Sequence, residues 1–459
     1  MEKIKVLFLV MEFAPVNTTG NFRTLKFVKY ISSFAIEPVI VTLKVEQAST
    51  FFNAPIDDSL LKEIPSDINI YRIPCKSNSD APFGKLSDFI NIFFSIKDSL
   101  GKRWWPFLKT AIGPIIEKHQ PAAIYTSLPP FSTGGLAVKI SKKFNLPLIL
   151  DMRDLWLHWC IGPHKSWIHY FLTKKAEERI FKQAKAIVVV TPQMKSIITK
   201  SHASLSENKV HYIPNGFDMS LEKIIPFSFN SRTSEVIIGY VGSFYYDPKN
   251  RNNFYKKWWE KRPHEMIQFV TVKSDWLYRS PYFFFRTVSY IRKHYPEIGT
   301  KIRIEFIGKK PNWLDEMLIE FDLQSCFTSH GFVNQKRSIE LQKNFDILLA
   351  TSEKIENGEH FCLPSKIFDY VVSGKPVLGF VTKGIQKDFI EKSGIGIVCD
   401  PDDISTSVSS IVNLLTNGAN FKPDINYLAK FERKQLSLEL ANLFKTVVCN
   451  LDRFNAQEV

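Results

Sequence analysis

The chain has 459 residues, 44% of them hydrophobic, which is more than one core encloses, because single cores stop growing at roughly 250–300 residues. Its net charge of +14 predicts an anionic partner and leaves nucleic acid, an anionic lipid surface and a phosphorylated small molecule to be separated. Six scattered cysteines (Cys75, Cys160, Cys326, Cys362, Cys399 and Cys449) form no C-x-x-C pair, which argues against a zinc ribbon or a disulfide framework and fits a reducing cytoplasm. No stretch reaches the roughly 18 uninterrupted apolar residues of a membrane span, so a soluble or peripheral protein is expected.

In chain order, short apolar runs alternate with segments of helical period, the pattern of an α/β protein with parallel sheets. The first half carries Val6–Val10, Pro38–Thr42, Ala122–Tyr125, Leu146–Leu150 and Ala186–Val190. The pattern restarts with Val236–Val241, then Ile302–Ile307, Phe345–Leu349 and Pro376–Phe380, which predicts two doubly wound sheets. Residues 220–235 lack either period and carry Pro and Ser, so they mark the junction. The predicted domains are 1–225 and 226–425, with 426–459 forming helices that cross back to the first. Open α/β sheets bind ligands at the carboxyl ends of their strands, so a cleft between the halves is the expected site.

After the first run, a small-residue loop (Glu12 to Gly20, with Thr19) opens onto a helix bearing Arg23; its free N–H groups suit an anion. Next come Tyr125-Thr-Ser127-Leu-Pro-Pro and Asp151-Met-Arg153-Asp154-Leu-Trp, which gather hydroxyls, two acids and a cation at neighbouring strand ends. An ion network that only pins a loop is the alternative reading. Ile213-Pro-Asn-Gly-Phe-Asp218 specifies a tight turn. The second half opens with Ile237-Ile-Gly-Tyr-Val-Gly242-Ser243, followed by Lys249. Its longest motif is Glu359-His-Phe-Cys-Leu-Pro-Ser-Lys366-Ile-Phe-Asp369-Tyr-Val-Val-Ser-Gly-Lys-Pro-Val.

Together these ordered motifs resemble the family-4-like glycosyltransferases of bacterial polysaccharide biosynthesis. The resemblance implies the GT-B fold: two Rossmann-like domains facing across a cleft, the first for the acceptor and the second for a nucleotide-sugar donor. It implies transfer of a sugar to a glycan or lipid-linked acceptor with retention, no cofactor beyond the nucleotide-sugar co-substrate, and no essential metal. It assigns donor contacts to Gly242, Lys249, Gly331, Phe332, Val333, Lys366 and Asp369, and acceptor or phosphate-loop contacts to Thr19, Gly20, Arg23, Ser127 and Arg153. Asp151, Asp154 and Glu359 are the candidate catalytic acids. Three departures are visible: Ser243 stands where relatives often carry arginine, the second acid is Asp369, and nine residues separate it from Glu359 where the family motif has seven. Ser243 and Asp369 leave open a catalytically silent, membrane-associated subunit of a polysaccharide assembly complex, and a nucleotide-sugar epimerase of the same fold, which needs a donor but no acceptor, is the other alternative.

Other signals are weaker. His158, Cys160, His164 and His169 lack the i, i+4 register with a nearby acid, so no metal site is expected. No nucleic-acid-binding motif is visible and the basic residues are dispersed. Residues 83–109 combine Leu86, Phe89, Phe93, Ile96 and Leu100 with Lys102-Arg-Trp-Trp; Lys256-Lys-Trp-Trp and Trp276-Leu-Tyr-Arg are similar. Each suits either an anionic membrane surface, at the inner face of the cell membrane, or an ordinary core-facing element.

Overall fold

The computed structural model describes residues 3–76, 100–158, 163–230, 235–333 and 335–455. Residues 83–99 of the basic amphipathic segment, residues 231–234 of the expected junction and Cys160 lie outside the described residues. The chain divides into two units. One comprises residues 1–215, 263–271 and 433–459, the other 216–262 and 272–432.

In the first unit the strands are β1 (Ile4–Leu9), β2 (Ile36–Leu43), β3 (Asn69–Ile73), β4 (Ala123–Leu128), β5 (Leu148–Met152), β6 (Ala184–Val189) and β7 (Val210–Tyr212). They pair in parallel in the order β3-β2-β1-β4-β5-β6-β7. This is the doubly wound order, and it reverses direction between β1 and β4. Every residue of β4 and β5 is buried, as strands covered on both faces require.

The second unit repeats the plan. Its strands are β8 (Phe227–Phe229), β9 (Val236–Val241), β10 (Ser274–Asp275), β11 (Ile302–Ile307), β12 (Phe327–Ser329), β13 (Ile347–Thr351), β14 (Lys354–Ile355), β15 (Val377–Phe380), β16 (Gly396–Cys399) and β17 (Ala419–Phe421). Six of them form a parallel sheet ordered β12-β11-β9-β13-β15-β16, and the antiparallel pairs β10–β14 and β8–β17 are separate. The direction reverses between β9 and β13, and the loops after β9 and β11 approach very closely there. A Cβ on Gly308 would lie 2.1 Å from the Gly242 carbonyl oxygen, and both glycines have positive φ, so no other residue fits.

The second unit begins ten residues before the expected junction at 225/226, because the Phe217 amide donates to the Phe431 carbonyl at 2.9 Å and fastens 216–225 to its own unit. The helix Arg433–Asn455 belongs to the first unit. Leu436, Leu440, Leu443, Phe444 and Val447 recur at helical spacing and enter the core beside Phe8 and Tyr125. The Phe444 ring lies 6.0 Å, edge-on, from both of these rings. Among the described residues, no helix is long and apolar enough to cross a membrane.

Leu440 has no exposed surface, so Leu440→Ala should cost about 2–5 kcal/mol of first-unit stability. Urea denaturation followed by tryptophan fluorescence measures the loss; an unchanged midpoint would show that the C-terminal helix is not part of this core.

Candidate functional site

At the carboxyl edge of the first sheet the polar residues form one closed network. Parallel register sets Ser127 of β4 beside Asp151 of β5, and the helix Thr19–Ile31 delivers Arg23 from the β1 side. The Arg23 guanidinium contacts both Asp151 oxygens, with Nε to Oδ2 and Nη2 to Oδ1 each at 2.9 Å. Its remaining donors go to the Ile213 and Pro214 carbonyls, each at 2.8 Å, and to Asn215 Oδ1 at 3.2 Å. Asp151 also accepts from the Tyr125 hydroxyl at 2.7 Å and from Ser127 Oγ at 3.2 Å. Burial, then the Asp151 charge, push the Tyr125 hydroxyl well above its ordinary range, so it keeps the proton it donates.

Three of the expected site residues lie inside this network. Asp151 is 0% exposed and Arg23 2%, and Ser127 is buried, so none of them presents a polar group to an acceptor or a phosphate. A general base has to reach the hydroxyl it deprotonates within about 3 Å, and Asp151 is spent on Arg23 instead. Arg153 is also committed internally. It pairs with Glu12 at 3.0 Å and donates to the Pro129 carbonyl. Gly20 is what admits it, since a Cβ there would lie 1.8 Å from Arg153 Nη1. Thr19 is exposed at the first helical position while Thr18 is the cap, accepting from the Asn21 amide at 3.0 Å. Asp154 is partly exposed just past the strand end. His158 hydrogen-bonds Ser201 Oγ at 2.7 Å.

In the second unit the helix Lys366–Ser373 ends at Gly374 in the left-handed conformation and buries Ile367, Phe368, Tyr370 and Val371. Its first residue turns the Lys366 ammonium over the Tyr240 ring, 3.7 Å from the centroid. Burial, and after it the charge of Arg279, lower the Lys366 pKa well below the usual lysine value. Arg279 pairs with the buried Glu353 at 3.1 Å and lies over the rings of Tyr245 and Trp276. Burial pushes the Glu353 carboxyl up, but His360, 3.2 Å away, and Arg279 outweigh it and hold the carboxyl far below its usual range. Glu353, His360 and Cys362 hold ligand atoms within 4.8 Å of one another, a grouping that fits a metal, but Arg279 already supplies a cation to its carboxylate.

The other expected donor residues are distributed differently. Gly242 and Gly331 have positive φ, and Phe332 is 73% exposed beside the half-buried Val333. Asp369 is exposed in the first turn of its helix, Lys249 is exposed, and Glu359 pairs at the surface with Lys383 at 2.8 Å. Among the described residues, no contact links Glu359 or Lys249 to Lys366. Arg279, Glu353 and His360 were not singled out by the motifs. The signal for Arg279 was present in Trp276-Leu-Tyr-Arg, where an arginine closes an aromatic run. That segment is partly buried around Glu353, which favours the core-facing of its two readings.

Two parallel sheets whose strands follow the same doubly wound order, each with buried charges near its switch point, define the class: a protein of the GT-B fold. Residues 79–221 match the model of Glycosyltransferase Family 4, so the resemblance read from the sequence holds for that segment and for the fold of the chain. The chain is similar to sucrose-phosphate synthase from Thermosynechococcus elongatus, at 13% identity and TM-score 0.55 with 99% of each chain covered. It is similar to Anabaena HepE in complex with UDP and glucose, at 11% identity and TM-score 0.52, covering 99% of this chain and 100% of that one. The lipopolysaccharide outer core galactosyltransferase WaaB matches at 12% identity and TM-score 0.53, covering 96% and 99%. No curated protein sequence matches the chain.

Asp151→Asn leaves the Arg23 charge buried without its partner and should cost about 3–5 kcal/mol. Glu359→Gln removes only a surface pair and should cost under about 1 kcal/mol. Equal shifts of the two variants in urea denaturation would show that the Arg23–Asp151 pair is not the support described here.

Proposed function

We propose that the chain is a glycosyltransferase that moves a sugar from a nucleotide-sugar to a glycan or lipid-linked acceptor in cell-surface polysaccharide biosynthesis. One observation carries this reading. Lys366, whose ammonium lies over the Tyr240 ring, and Arg279, which pairs with the buried Glu353 and whose carbonyl accepts from Thr351 at the end of β13, are neighbouring cations. Protonated, Lys366 adds a second positive charge beside Arg279, and a diphosphate at the carboxyl edge of a doubly wound sheet would offset the desolvation that lowers its pKa.

In this reading the second unit holds the donor. Lys366 and Arg279 bind the diphosphate and stabilise the charge that develops on it as the sugar–oxygen bond breaks. The turn amides at Gly242 and the backbone at Gly331–Val333 take the rest of the nucleotide, and Asp369 its ribose. The first unit holds the acceptor, with Asp154, partly exposed just past the end of β5, receiving the proton of the attacking hydroxyl. Retention of configuration and independence of metal are parts of the proposal supported by the family resemblance. So are a cytoplasmic location and an acceptor met at the inner face of the membrane. HepE, a structural neighbour, binds UDP, which supports a uridine donor as the first to try.

The test is a thermal-shift panel of nucleoside diphosphates and nucleotide-sugars. One compound should raise the melting temperature, and Lys366→Ala should abolish at least 90% of the shift. No shift with any nucleotide would sink the reading, and binding without sugar transfer to any acceptor would indicate a silent subunit. The pH dependence provides a second check. A lysine whose pKa is lowered offers its charge only below that depressed value, so nucleotide affinity should already have fallen before pH reaches the ordinary lysine value of 10.5. Calorimetry on Lys366→Arg should move the fall to higher pH, because guanidinium keeps its proton; coincident profiles would remove Lys366 from the site.

A further inference from the structure

The helix Trp167–Gln183 of the first unit buries Ile180 and Phe181 in its last turns, but its first turns have their polarity reversed. Its buried positions include His169, Thr173 and Glu177, whereas Trp167, Ile168 and Phe171 are 63%, 47% and 53% exposed. These three occupy i, i+1 and i+4, so they share one side of the first turn. The reversal is fixed by the polar face. Glu177 accepts from the Leu157 amide at 3.2 Å and pairs with His202 Nε2 at 2.7 Å, both side chains being 2% exposed. His169 Nδ1 accepts from the Lys165 amide at 3.2 Å, and Ser166 caps the helix through the His169 amide at 3.1 Å. Rolling the helix to hide the apolar turn would strip these buried groups of their partners.

Charge follows the apolar turn. Lys165 is exposed immediately before it, and Lys175, Arg179 and Lys182 are exposed along the helix behind it, against one exposed acid, Glu178. The Lys175 ammonium lies 4.5 Å over the Phe171 ring. An apolar tip of Trp, Ile and Phe backed by cations matches the layering of a bilayer surface, with rings at the acyl boundary and ammonium groups among phosphates. A protein partner would need a matching apolar surface, whereas an anionic lipid surface answers both the tip and the lysines and is favoured by the net charge of +14.

We propose that the first turn of this helix is a wedge that docks the first unit on an anionic bilayer. The corollary, that the acceptor is carried by a lipid, rests on the transferase reading above; the docking surface itself does not.

Sedimentation of the full chain with vesicles tests this. It should bind vesicles containing phosphatidylglycerol at least tenfold more tightly than pure phosphatidylcholine, and the preference should shrink at about 0.5 M salt. Trp167→Ser/Ile168→Ser/Phe171→Ser should weaken binding at least tenfold while keeping its circular dichroism and its nucleotide thermal shift. Lys165→Glu/Lys175→Glu should reduce the preference for anionic vesicles. The proposal is overturned if the triple variant binds as tightly as wild type, or if wild type binds no vesicle and instead self-associates through this turn. Vesicle binding without any nucleotide shift would overturn the transferase reading and leave the docking surface standing.

Discussion

A guanidinium taken out of water must be matched in charge and in hydrogen bonds, and the carboxyl edge of the first sheet is organised around meeting that requirement for Arg23. Asp151 supplies the charge, while the carbonyls of Ile213 and Pro214 and the Asn215 side chain take the remaining donors. The network ties the helix after β1 to the end of β5 and to the last residues before the chain enters the second unit. Losing one partner leaves a buried charge, so the arrangement is all-or-none. Tyr125 and Ser127 complete the carboxylate and are drawn inward with it.

The second unit has the same sheet order but does not close its charges. Arg279 has Glu353, and Glu353 also holds His360, while Lys366 rests on an aromatic face beside Arg279. The buried charges of the first unit are matched within it, whereas Lys366 of the second lies against an aromatic ring.

Much of the fold was legible because buried parallel strands are continuous apolar runs. Val236–Val241 and Ile302–Ile307 coincide with β9 and β11 to the residue. The strands of the two sheets that the pattern passed over are β3, β7, β12 and β16, which are the four sheet edges. Edge strands are short and half-covered: β3, Asn-Ile-Tyr-Arg-Ile, mixes polar residues into its run, and β16, Gly-Ile-Val-Cys, is only four residues long. The helix beginning at Trp167 was passed over as a surface for the opposite reason, since apolar residues in a helix read as core.

By itself the sequence determined the alternation of strand and helix, the two doubly wound units, and the positions of the glycine turns, because each follows from local periodicity and backbone freedom. Only the tertiary structure decided which charges neutralise one another. Arg23 and Asp151 are 128 residues apart, and Arg279 and Glu353 are 74. Strand order brings such pairs together, and strand order is a property of the whole sheet that no local stretch encodes. That is why Asp151 reads as a catalytic acid in its motif and proves to be a buried counter-ion. It is also why Arg279, unremarked in its own segment, stands beside Lys366.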